Sequence, residues 1–157
     1  MVKLLAYVIV FVGATVYAVD QPEQPLPAWA GKFRLEVADE PENLRFLLVL
    51  VSEDRRDVCL EHGAWPDRDG KIETGGDGLF SVITERETFK LHEPRLYADC
   101  WGGPECFIHV KPGESLKGFI LYSEFGDPQT IRSRAKRVLK SELVPSICGW
   151  KPAEKHQ

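Results

Sequence analysis

Residues 32–37 read KFRLEV, a strict alternation that puts Phe33, Leu35 and Val37 on one side and Lys32, Arg34 and Glu36 on the other. A period of two is the signature of a half-buried β-strand. Residues 44–51 (LRFLLVLV) are apolar on both parities apart from Arg45. Periodicity alone would also allow a buried helix there. The shortness of the run and the turn-forming Glu40-Pro41-Glu42-Asn43 before it favour a central sandwich strand. Shorter runs follow at 57–61 (DVCLE), 79–84 (LFSVIT) and 88–92 (TFKLH), with Asp67-Arg68-Asp69-Gly70 turning the chain between the first two. Residues 107–110 and 116–122 flank Lys111-Pro112-Gly113-Glu114, whose proline and glycine predict a hairpin.

Seven or eight short strands at near-regular spacing, punctuated by Gly and Pro, predict a mainly β fold. The expected architecture is an immunoglobulin-like antiparallel β-sandwich. The stretch VKPGESLKGFILYSEF (110–125) resembles an exported bacterial immunoglobulin-like domain at the level of fold, and carries no functional residue across. The end of the chain fits this pattern less directly. Asp127-Pro128 reads as a helix cap and first turn, and Ile131, Ala135, Val138, Leu139 and Leu143 share a helical face. A sandwich would place a last strand before Cys148. The expectation is a turn or two of helix over 128–135, then a strand over 137–144.

The first residues set the compartment. Lys3 precedes an unbroken apolar run over 4–12, and Val16-Tyr17-Ala18 presents small or apolar residues where a signal peptidase reads. The apolar stretch is interrupted by Gly13 and Thr15 and falls short of the roughly 20 residues of a spanning helix. Residues 1–18 are therefore expected to be a signal peptide cleaved after Ala18. The product would be secreted or periplasmic, with no stable membrane insertion. Residues 19–28 hold three prolines and read as an extended leader, 29–150 as one domain and 151–157 as a tail. Cleavage removes one lysine and no acid, taking the net charge from −4 to −5. An acidic exported chain has little attraction for nucleic acid or anionic lipid.

All four cysteines, Cys59, Cys100, Cys106 and Cys148, fall after that leader. An even count in an oxidising compartment reads as two disulfides. Five residues separate Cys100 from Cys106, too many for a redox pair of C-x-x-C spacing, and no second close ligand pair supports zinc. A local Cys100–Cys106 bridge is the leading reading, with Gly102, Gly103 and Pro104 allowing the chain to turn inside it. Cys59 would then pair with Cys148, although four cysteines permit three pairings.

The search for chemistry finds no catalytic constellation. His62, His92, His109 and His156 form no metal-ligand pattern, and the only methionine is Met1. There is no G-x-S-x-G nucleophile turn. Asp67-x-Asp69-Gly70 lacks carboxylates at both ends of a calcium loop, since Trp65 and Gly76 occupy those places. The loop acids Asp67, Asp69, Asp77 and Glu85 are not paired by any spacing. Arg132, Arg134, Lys136, Arg137 and Lys140 form the one basic cluster, either a solvated face or a contact for an acidic partner. Trp101, inside the expected disulfide loop, is either a core plug or a rigid contact, and Trp65 poses the same choice. Trp29 and Trp150 lie near the two ends and are expected to cover sandwich edges.

The candidate partner-contact residues are thus Trp101, Trp65, Arg132, Arg134 and Arg137. No cofactor, metal or catalytic residue is expected. The leading functional expectation is a non-catalytic module that binds another protein, of the inhibitor or immunity type acting on an exported hydrolase. An accessory or structural envelope protein is the alternative. An enzyme with an unlocated carboxylate site comes third.

Overall fold

The computed structural model describes residues 16–18, 27–72, 79–92 and 103–149. Among the described residues, ten strands and one short α-helix follow in order: β1 (Val16–Ala18), β2 (Phe33–Glu40), β3 (Arg45–Ser52), β4 (Val58–Glu61), β5 (Phe80–Thr84), β6 (Thr88–Lys90), β7 (Phe107–Val110), β8 (Ser115–Leu121), α1 (Pro128–Arg132), β9 (Arg137–Ser141) and β10 (Ser146–Ile147). The fold is mainly β, and every strand pair is antiparallel. The strands fall into three ladders, β1-β2-β3-β8, β10-β4-β7 and β6-β5-β9, where the spacing along the chain predicts two sheets.

The alternation in β2 does what it predicts. Phe33, Leu35 and Val37 are buried, and Arg34 on the other face is exposed. β3 is a strand and central in its ladder, as expected. Its burial nevertheless alternates, with Phe46, Leu48 and Leu50 buried and the intervening residues half-buried. These two inner faces meet Phe80 and Val82 of β5, Ile120 of β8, Ile131 of α1 and Leu139 of β9 in one continuous core. Phe46 is fully buried, 5.0 Å from the Tyr122 ring and 6.4 Å from that of Phe125. Removing a side chain of that size from water is worth about 2–3 kcal/mol.

Turn chemistry explains several junctions. Between β2 and β3 the chain turns through Pro41 to Leu44, and Leu44 takes φ 53°, a left-handed conformation that costs a leucine about 1 kcal/mol. A backbone bond from Tyr122 N to Leu44 O at 2.8 Å holds it there. The Asp67 carboxylate accepts from the amides of Asp69 and Lys71 at 2.8 and 3.0 Å, so it serves its own turn. Gly70 sits at φ +76°, and a Cβ on it would lie 2.4 Å from the Phe119 ring. The helix reading near Pro128 also holds: Asp127 accepts from Thr130 N at 2.7 Å and from its hydroxyl at 2.6 Å, capping α1 before the chain re-enters a strand at Arg137.

One expectation is corrected. Lys111-Pro112-Gly113-Glu114 is a tight turn, with Glu114 N bonded to Lys111 O at 2.9 Å and Gly113 at φ +76°. It does not make a hairpin, because β7 pairs with β4 and β8 pairs with β3. The turn is instead clamped onto the end of β3 by Gly113 N to Ser52 O (3.2 Å) and Ser52 N to Glu114 O (3.0 Å). It passes the chain from one ladder to another.

Candidate binding surface

Cys59 on β4 and Cys148, just after β10, form a disulfide with an S–S distance of 2.09 Å, as the cysteine arithmetic predicts. Backbone pairing reinforces it on both sides. Ile147 N donates to Trp29 O at 2.8 Å, Gly31 N to Pro145 O at 2.9 Å and Cys148 N to Asp57 O at 2.9 Å. The start of the domain, its end and β4 are thereby sewn together. Gly31 belongs to this closure, because a Cβ there would lie 2.7 Å from a Val58 methyl. Cys100, the expected partner of Cys106, and Trp101 lie outside the described residues, as does Trp150.

Around the disulfide the surface is concave and apolar. A cleft of about 480 Å³ is lined by Trp29, Cys59, Phe107, Ser146, Ile147, Cys148 and Gly149. A second hollow of about 280 Å³ shares Trp29, Cys59, Phe107 and Ser146 with it and extends the surface toward Ala64, Leu79 and Val144. Trp29 is 36% and Val144 44% exposed, two of the three large apolar side chains that are exposed among the described residues. The polar side chains lining the two hollows are Ser146, whose hydroxyl donates to Cys59 O at 3.4 Å, and Glu61 on the rim. One hydroxyl and one rim carboxylate supply no acid–base or nucleophile–base pair. The arrangement is suited to apolar contact. His109 faces Cys59 across β4 and β7, and one of its ring nitrogens lies within 4.8 Å of both sulfurs. Those sulfurs are bonded to each other and so are not thiolate ligands.

Three of the sequence-derived contact candidates, Trp65, Arg134 and Arg137, are engaged within the fold. Trp65 is 4% exposed and packs over β8, where a Cβ on Gly118 would sit 2.8 Å from its Nε1. It is a core residue. The basic cluster is also largely committed within the fold. Arg137 Nε donates to Asp39 Oδ2 at 2.8 Å, and its side chain is 14% exposed. Arg134, equally shielded, pairs with Glu87 in the β5–β6 turn, and Glu85 accepts from the amides of Ala135 and Lys136 at 3.3 and 3.1 Å. A bond from its own amide, and then those from Lys136 and Ala135, hold the Glu85 carboxyl below its usual range. Arg132 remains exposed. The cluster is a latch between the α1–β9 connection and the β5–β6 hairpin.

The buried Asp39 also accepts a hydrogen bond from the Tyr122 hydroxyl. Burial, and then the Asp39 carboxylate, push that hydroxyl well above its ordinary value and keep it neutral. Tyr122 is fully buried, so this triad of Tyr122, Asp39 and Arg137 is an internal tie with no substrate access. Neither it nor the Trp29 cleft was visible in the sequence. Trp29 stands in a proline-rich stretch without periodicity, and Asp39 stands in β2 at a position the alternation assigns to the core.

No protein-family model matches the chain, and no curated protein matches it.

Proposed function

We propose that the chain is an exported, non-catalytic protein-binding module of the inhibitor or immunity type, whose leader is removed after Ala18 and whose partner is an exported hydrolase. The observation that carries the binding reading is the apolar cleft around the Cys59–Cys148 disulfide, flanked by exposed Trp29 and Val144. Aromatic and aliphatic anchors on a covalently braced surface lose little conformational freedom on docking, which favours a small number of strong contacts. The proposal does not require an immunoglobulin-like sandwich, since three antiparallel ladders on one core present this face equally well.

The test is affinity capture by the exported protein beside its Trp29→Ala and Val144→Asp variants, each checked for native circular dichroism. A captured exported hydrolase that is inhibited by the wild type, and released at least tenfold faster by either variant, is the expected result. Equal retention by both variants would move the contact away from this face, and no inhibition of the captured enzyme would remove the inhibitor reading.

A further inference from the structure

The three residues of β1 lie within the segment that the proposal above removes. In the structure they occupy the outer edge of β2, with Val16 opposite Ala38, Tyr17 opposite Val37 and Ala18 opposite Glu36. Cleavage after Ala18 takes this strand away and leaves β2 as an open edge, a row of backbone donors and acceptors in search of a partner. The opposite edge of the same sheet is in a different condition. There β8 is covered by the segment carrying Trp65 and Gly70: Leu121 N bonds to Gly70 O at 3.2 Å, and a Cβ on Gly118 would meet Trp65 and Pro66. Among the described residues, β1 is what pairs with the outer edge of β2.

We infer that in the mature protein a second copy of this chain takes the place of β1, pairing β2 with β2 in antiparallel sense about Val37. A two-fold axis at Val37 keeps the register centre that Tyr17 now uses. It sets Glu36 opposite Ala38 of the second copy and Arg34 opposite Glu40 of the second copy. Both charged residues lie on the solvent-facing side of β2. The symmetry produces that opposite-charge pair twice. A shift of the axis by one residue toward Ala38 would instead set Glu36 against Glu40, a like-charge pair, so the alternation selects the Val37 register. In their own chain Arg34 pairs with Glu36 and, at 3.0 Å, with Glu53, while Glu40 pairs with Arg45 at 2.7 Å. The cross-strand pairs would join these into one charge ladder across the interface. Two short strand edges bury less than the roughly 1,200 Å² of a stable complex, so the dimer is a weak, reversible one.

This inference rests on removal of residues 1–18, and the test separates the two. Protein exported by an expressing cell is purified, its N-terminus read from its intact mass, and its association followed by sedimentation equilibrium. The expected result is an N-terminus at Val19 and a concentration-dependent dimer. Arg34→Glu and Glu40→Arg alone should each weaken it roughly tenfold by creating two like-charge pairs, and the double swap should restore most of the loss. The pairs lost within each chain, Arg34 with Glu36 and Glu53 and Glu40 with Arg45, are absent from monomer and dimer alike, so recovery of association in the double swap over both single variants reads the contact between chains. Hydrogen exchange at residues 36–38 should slow as the dimer forms. An N-terminus at Met1 overturns the inference through the cleavage on which it rests. With the N-terminus at Val19, three other results overturn the docking itself. These are a monomer at all concentrations, a dimer indifferent to the charge swaps, and concentration-independent protection of residues 36–38, which would mean that the chain covers its own edge.

Discussion

Arg137 and Asp39 stand 98 residues apart in the chain, yet the guanidinium Nε of one donates to the carboxylate of the other at 2.8 Å in a nearly dry environment. Asp39 ends the buried row of β2, Arg137 opens β9, and Tyr122, which binds the other carboxylate oxygen, follows β8. The contact therefore ties the four-stranded ladder to the β6-β5-β9 ladder at the edge of their shared core. Two further Arg137 bonds, to the carbonyl oxygens of Arg132 at 3.0 Å and of Arg134, fix the connection from α1.

Asp39→Asn should lower stability by about 3 kcal/mol, because it leaves a shielded guanidinium without its counter-charge. Arg137→Met should cost a similar amount by stranding the carboxylate. The double variant should lose distinctly less than the sum of the two. Urea unfolding of the four proteins measures the coupling, and strict additivity would show that the pair acts as two independent residues.

Tyr122 gives a pH dependence with a defined sign. Its folded-state pKa lies well above the ordinary tyrosine value of about 10, chiefly through burial and secondly through Asp39. The stabilisation is then complete below about pH 10 and is lost as pH rises through the folded value, because the unfolded chain releases the proton first. Tyr122→Phe should cost about 2 kcal/mol at neutral pH, by removing a donor to a charged acceptor. The gap between wild type and variant should stay constant up to about pH 10 and narrow above it. Unfolding curves across that range test this, and a gap that widens would reverse the assignment.

Replacing Cys59 and Cys148 together by serine should reduce stability by about 4–5 kcal/mol, the loop entropy released when a cross-link spanning 89 residues is opened. A loss below about 2 kcal/mol, measured by the same unfolding assay, would place the closure in the backbone bonds joining Trp29 to Ile147 and Gly31 to Pro145.

Gly118→Ala should destabilise by about 1–3 kcal/mol, since the added methyl meets the Trp65 indole at 2.8 Å and Pro66 at 2.9 Å in a packed interior. Trp65→Phe shortens the obstructing ring, so the same change made in that background should cost less. Thermal unfolding of the cycle checks this, and equal costs in both backgrounds would assign the clash to Pro66 alone.

What the sequence determined by itself is local. The alternation of residues 32–37 made β2 and chose its buried face, because side chains in a strand point alternately to two sides whatever they meet there. Asp127-Pro128 started α1 through a carboxylate and a ring that act within three residues. The cysteine count allowed three pairings, and the one expected from the close spacing of Cys100 and Cys106 contains the Cys59–Cys148 bridge found here. Pairing across distance was decided by tertiary structure alone. Residues 111–114 set a turn through their own φ angles, but nothing in them says which strand receives β7 or β8, and the core assigned the two to different ladders. Arg134 and Arg137 read as surface charge because their partners, Glu87 and Asp39, are remote in the chain and an ion pair leaves no periodicity. Trp65 and Trp29 are the same residue type within two residues of a proline, one sealed over Gly118 and one left exposed at the cleft. Burial is set by what the rest of the chain brings against a side chain, and that is fixed only when the ladders pack.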